Sequence, residues 1–70
     1  DIIAFGEIGL AGEIRAVNNC EQRISESVRL GFDKCIIPFH NYKGLSKNIK
    51  VSADIVPVRS VREAFNAITE

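Results

Sequence analysis

The chain has 70 residues, nine Lys plus Arg against nine Asp plus Glu for a net charge of zero, and 46% hydrophobic residues. That length excludes two domains, and that hydrophobic content excludes a disordered polar tract. Neutrality removes the simplest electrostatic case for a dedicated nucleic-acid or membrane binder, and the short apolar runs fall far below the ~20 residues of a membrane span.

From Ile2 to Phe5 the chain is continuously apolar; Gly6, Gly9 and Gly12 follow, and then Ile14 to Val17. This pattern predicts two short strands joined by a glycine-bearing turn near Leu10 to Gly12. Asn18 or Asn19 can cap a helix, with Glu21 or Gln22 closing the cap, and Cys20, Ile24 and Val28 follow at a spacing of four residues. The helix should run to about Leu30, where Gly31 supplies a left-handed stop and Phe32 folds back onto the last turn. Cys35 to Ile37, ending at Pro38, reads as a strand buried on both faces, as in a parallel sheet.

The stretch from His40 to Ser52 is polar, with Leu45 and Ile49 as its few anchors, and reads as a loop with one short helical turn. Ile55 to Val58 is a further strand, placed at a sheet edge or strand end by Pro57, which lacks an amide donor. Ser60 and Glu63 form an S-x-x-E capping box, after which Val61, Ala64, Phe65 and Ile68 fall on one face of a closing helix. The expected fold is one α/β (α+β layered) unit over residues 1–70, a β-hairpin followed by two strand/helix units with helices packed on one mixed sheet.

Few residues point to chemistry. The G-x-x-G-x-x-G spacing of Gly6, Gly9 and Gly12 has neither the G-x-G-x-x-G nor the Walker pattern, so these glycines read as servants of a hairpin and of close packing. His40 is the only histidine and has no Cys, Asp or Glu within four residues. Cys20 and Cys35 lie on apolar faces, have no CxxC or paired histidine, and read as core residues of a protein in a reducing, cytoplasmic setting. Lys34, Lys43, Lys47 and Lys50 differ, because no acid lies between Asp33 and Asp54. Lys43, Lys47 and Lys50 are the candidate phosphate contacts, set against the plain reading of a solvated loop. Methionine is absent, at the first position as elsewhere, which leads to the expectation that the chain is trimmed or excised from a longer one.

The segment FGEIGLAGEIRAVNNCEQRISESVRLGFDKCIIP, Phe5 to Pro38, resembles the C-terminal Lon-like domain of the bacterial RadA (Sms) DNA repair family. It carries that family's G-E-[IV]-G-L-x-G-E-[IV]-R hairpin, E-x-R-[IL] helix start, L-G-F helix end and apolar strand closing in proline. The tail DIVPVRSVREAFNAI is similar to the last strand and helix of RadA and of Lon proteases. Ala16 departs from the proline usual after the hairpin arginine.

The resemblance implies the second half of a Lon-like domain. In Lon proteases a lysine opening the helix is the partner of a catalytic serine; aligned on the hairpin, that position is Glu21, and the serine segment lies upstream of the hairpin. A carboxylate cannot act as a neutral amine base, so no catalytic residue, cofactor or metal site is expected in this stretch. ATP and zinc are implied only for upstream domains of a full RadA protein, a DNA-dependent ATPase. The expected role is a noncatalytic ring scaffold that self-associates and contacts DNA weakly through phosphates, away from membranes. The alternative is the C-terminal part of a Lon-family peptidase domain, which a lysine at position 21 would mark.

Overall fold

The computed structural model describes residues 1–69. Its strands and helices run in the order β1 (Ile2–Ala4), β2 (Glu7–Ile8), β3 (Ile14–Arg15), α1 (Cys20–Arg29), β4 (Lys34–Pro38), α2 (Phe39–Tyr42), α3 (Lys47–Lys50), β5 (Asp54–Val58) and α4 (Val61–Thr69). β1, β4 and β5 form a three-stranded parallel sheet with β4 at its centre. β2 and β3 pair separately as an antiparallel hairpin. The α/β layering is as expected, but the single mixed sheet resolves into these two sheets.

The first strand is the main departure from the sequence reading. Ile2 to Phe5 does not pair with Ile14 to Val17; β1 lies parallel to β4, with Ile3 opposite Cys35. The hairpin instead uses Glu7 and Ile8 opposite Arg15 and Ile14. Glycines and charged residues dilute the apolar signal over residues 6–13, which hid the short β2 arm, whereas Ile2 to Phe5 has the unbroken apolar character of a parallel-sheet strand.

Strand alternation sends the two sets of β4 side chains into two separate cores. On one face Cys35 and Ile37 join Cys20 and Ile24 of α1 and Leu45, with Ile3, Phe5, Val17, Val28, Tyr42, Ile49 and Ile55 packed around them. On the other face Ile36 and Val58 meet Ile14 of the hairpin and Ala67 of α4. β4 is therefore buried on both faces, as its apolar run predicts.

The helix ends carry their own chemistry. α1 closes in a Schellman arrangement: the Gly31 amide donates to the Val28 carbonyl at 3.0 Å and the Phe32 amide to Ser27 at 3.0 Å, with Gly31 at φ 101°. Its start differs from expectation. Asn19 holds the cap position at φ 58° and its side chain makes no capping bond, while Glu21 turns to a partner elsewhere in the fold. At α4 the Ser60 hydroxyl accepts from the Glu63 amide at 3.2 Å, and the Glu63 carboxylate reaches back to the Arg59 amide at 2.7 Å, one residue earlier than in the standard capping box. The polar stretch after β4 holds two short helices rather than one turn, and Ser46 caps the second by accepting from the Ile49 amide.

α4 sets Val61, Ala64 and Ala67 against the sheet. Phe65 and Ile68, expected on the same buried face, stay 63% and 47% exposed. They overhang a groove of about 250 Å³ whose floor and walls include Ala4, Phe5, Ile8, Ile14 and Ile36.

Candidate nucleic-acid interface and the hairpin motif

The hairpin glycines are explained by geometry. A Cβ on Gly6 would come within 2.9 Å of Ile14 Cγ2, and one on Gly9 would overlap the Glu13 carboxylate. Gly12 sits at φ 82°, where side chains are strained. The Glu13 carboxylate accepts from the Ala11 amide at 3.0 Å and pairs with Arg15 at 3.2 Å. Hydrogen bonds from its local backbone, and then Arg15, hold the Glu13 carboxyl below the usual carboxylate range. The returning arm is fixed to the far end of the sheet by Ile14 N–H donating to Arg59 O at 2.8 Å and Val61 N–H donating to Gly12 O at 3.0 Å. The G-E-I-G-L-A-G-E-I-R run is thus a self-braced hairpin clipped to the start of α4, and none of its glycines is required for a phosphate.

Glu21 is in the first turn of α1, and its carboxylate accepts from the Ser46 amide at 2.8 Å and the Ser46 hydroxyl at 3.1 Å. It bridges α1 to the start of α3. The sequence shows no acid among the lysines from 34 to 50, but the fold brings this one beside Ser46, immediately before Lys47. Asn41 makes a second tie of this kind, accepting from Val17 N–H at 2.9 Å and donating to Val17 O at 3.0 Å.

The four lysines separate into different roles. Lys34 is a structural residue: its Nζ donates to the Ala67 carbonyl at 2.7 Å and so ties β4 to the C-terminal end of α4. Lys43 and Lys47 are exposed. Lys50 is half-buried, with its Nζ 4.5 Å above the Tyr42 ring. Lys43, Lys47 and Lys50 therefore lie on or beside α2 and α3, on the segment that the sequence reading singled out.

One pair escaped the sequence reading. The Arg59 guanidinium stands 3.9 Å over the Phe39 ring, and Phe39 meets His40 edge-on at 5.8 Å. Pro38 and Val58 are register partners, so the next residues, Phe39 and Arg59, leave the sheet side by side. The signal lay in the pairing of β4 with β5, which no local pattern carries. Exposed His40 is a neighbour of this pair rather than a ligand, and no cluster of His, Cys, Asp and Glu suited to a metal occurs among the described residues.

Cys20 and Cys35 are free, buried thiols. Desolvation pushes both above the ordinary thiol pKa; at Cys20 the positive charge of Arg23 opposes part of that rise and Cys35 adds to it. Both are core residues of the α1 face. No helix among the described residues is long and apolar enough to cross a membrane.

No family model matches the chain. It is similar to DNA repair protein RadA of Chlamydia trachomatis, 46% identical over 63 residues that cover 90% of this chain and 14% of the relative. With RadA of Haemophilus influenzae it is 48% identical over 52 residues, 73% of this chain and 11% of the relative. With RadA of Aquifex aeolicus it is 38% identical over 71 residues, 97% of this chain and 14% of the relative. The chain thus spans about 14% of the length of two of these curated relatives and 11% of the third, and the resemblance to RadA read from the hairpin and helix motifs extends over nearly all of it.

Proposed function

Because the chain is similar to RadA over nine tenths of its length, we propose that it is a noncatalytic Lon-like scaffold within a RadA-type DNA repair protein, working through subunit contacts and weak contacts to DNA phosphates. The observation that carries the noncatalytic part is Glu21. At the position where the Lon-like resemblance places a lysine base stands a carboxylate occupied by two hydrogen bonds from Ser46. Exposed Lys43 and Lys47, with Lys50 beside them, support the DNA part. The apolar groove under Phe65 and Ile68 and the open outer edge of β1 support a role in assembly. In the parent protein ATP and zinc would belong to domains outside this stretch.

Two measurements test the reading. Purified full-length protein, freed of contaminating peptidases, leaves unfolded casein intact, and Glu21→Lys restores no cleavage; cleavage by the parent protein would overturn the noncatalytic assignment. With Lys43, Lys47 and Lys50 all changed to Ala, DNA binding weakens evenly across sequences and the slope of log affinity against log salt falls by about one per lysine. An unchanged slope would return the segment to a solvated connection.

A further inference from the structure

The lysine segment is half of a larger pattern centred on α2. Phe39, Tyr42 and Lys43 are spaced i, i+3 and i+4 along this turn, so they share one side of it. Both aromatic rings are covered by a cation from another element: Arg59, just after β5, lies over Phe39 at 3.9 Å, and Lys50, at the end of α3, lies over Tyr42 at 4.5 Å. The ion pairs among the described residues join the amino terminus to Asp33 and Arg15 to Glu13; neither takes up Arg59 or the three lysines. Glu63 accepts from the Arg59 backbone amide, not from its guanidinium. The Glu21 carboxylate, which the fold brings beside Ser46, accepts from the Ser46 amide and hydroxyl.

A cation over an aromatic face loses conformational freedom and keeps its charge, which suits it to an anion that arrives from solvent. Arg adds a planar fork of donors that matches a phosphate in two hydrogen bonds. From this arrangement we infer that Arg59, seated on Phe39, is a DNA-phosphate contact that continues the Lys43, Lys47 and Lys50 surface across α2 onto the exit of β5. The inference rests on the proposed DNA-contacting role, and it assigns to that role a residue that lies beyond the lysine segment in sequence and is brought beside Phe39, at the start of α2, by the β4–β5 register. Recognition is of the backbone, because the charged groups of the strip are all cations and a phosphate is the anion that every nucleotide presents.

The test measures binding of duplex and single-stranded oligonucleotides to the full-length protein over a salt series. Arg59→Ala lowers the salt slope by about one unit and weakens binding equally for different sequences. Arg59→Lys restores the slope but not the full affinity, since the charge returns without the planar fork. Phe39→Leu keeps the slope and weakens binding about threefold, by releasing a guanidinium that stays charged. A circular-dichroism melt for each variant confirms that it is folded. If Arg59→Ala leaves slope and affinity unchanged in a folded protein, the assignment of Arg59 falls. If it instead alters the sedimentation of the assembly with DNA binding intact, the pair is a subunit contact and the assignment also falls. If Arg59→Ala acts while the triple lysine variant does not, the lysine reading fails and the Arg59 site stands; the reverse result retains the lysines and removes Arg59.

Discussion

The two faces of the central sheet are finished to different degrees. On the α1 side, Cys20, Ile24, Cys35, Ile37 and Leu45 are all 8% exposed or less, and three helices close over them. On the α4 side, one helix and a two-residue-armed hairpin cover only part of the same three strands, and Phe65, Ile68 and Ile8 remain 63%, 47% and 65% exposed around an apolar groove. One face has the packing of a finished interior, and the other leaves large apolar side chains in water around a groove. In a chain this short, where burial is limited by the ratio of surface to volume, the first face should contribute most to stability, and the exposed side chains of the second are where substitutions cost least.

The largest effect that would break this contrast is at Ile37, fully buried on the α1 face. Ile37→Ala removes three carbons from a packed cluster and should destabilise the fold by about 2–5 kcal/mol, enough to unfold a marginal domain, as followed by urea denaturation. A loss below about 1 kcal/mol would mean that the α1 face is no better packed than its opposite.

A smaller effect is expected where α1 is tied to α3. Glu21→Lys removes two acceptors from the start of α3 and puts a cation next to Lys47, so it should cost about 1 kcal/mol. Glu21→Gln, which keeps one acceptor oxygen, should recover part of that loss. From sequence alone Glu21 was a candidate to close the cap of α1; its bonds to Ser46 give it a tertiary role instead. Hydrogen exchange at the Ser46 amide reports the tie directly, and exchange as slow in the Lys variant as in the parent would refute it.

What was legible in the sequence followed from local rules. The Gly31 stop, the burial of Cys35 to Ile37, the Ser60 and Glu63 cap, the edge position of β5 and the anchoring by Leu45 and Ile49 each depend on a few neighbouring residues. The pairing of β1 with β4 was not legible, because it joins residues about thirty positions apart, and nothing local says which strand an apolar run will choose. The same limit applies at the candidate site. Lys43, Lys47 and Lys50 were found by counting charges, whereas the Glu21–Ser46 bridge and the Arg59–Phe39 pair exist only through tertiary placement. The hairpin motif was recognised as a pattern, and its reason became visible only with Glu13 folded over Gly9.

The thiols sharpen the comparison by pH. Both sit on the α1 face, and burial raises their folded pKa above the ordinary value of 9.0. Folded protein holds these protons more tightly than unfolded chain, so their contribution to stability is complete below pH 9.0 and is lost as the pH rises through the raised folded values. Thermal melts from pH 8 to 10.5 should show an alkaline decline that is shallower in the Cys20→Ala, Cys35→Ala double variant. An equally steep decline in that variant would mean that the α1 face does not desolvate its thiols.

The smallest effect belongs to the open face. Phe65 is large and apolar, and by helical spacing it belongs with Val61, Ala64 and Ile68, yet it remains 63% exposed. Little of its ring leaves water when the chain folds, so Phe65→Ala should change the stability of this 70-residue unit by no more than about 0.5 kcal/mol. Its effect should fall on assembly instead. In the full-length protein, where the groove has the chance to be covered, the same substitution should weaken subunit association measured by sedimentation, because burying a Phe side chain contributes about 1.5–3 kcal/mol. The sign of the difference between the two settings decides the matter. Greater sensitivity of the assembly than of the isolated unit identifies the α4 face as an interface, whereas a large loss in the isolated unit with no change in assembly would make Phe65 a core residue and the two faces equivalent.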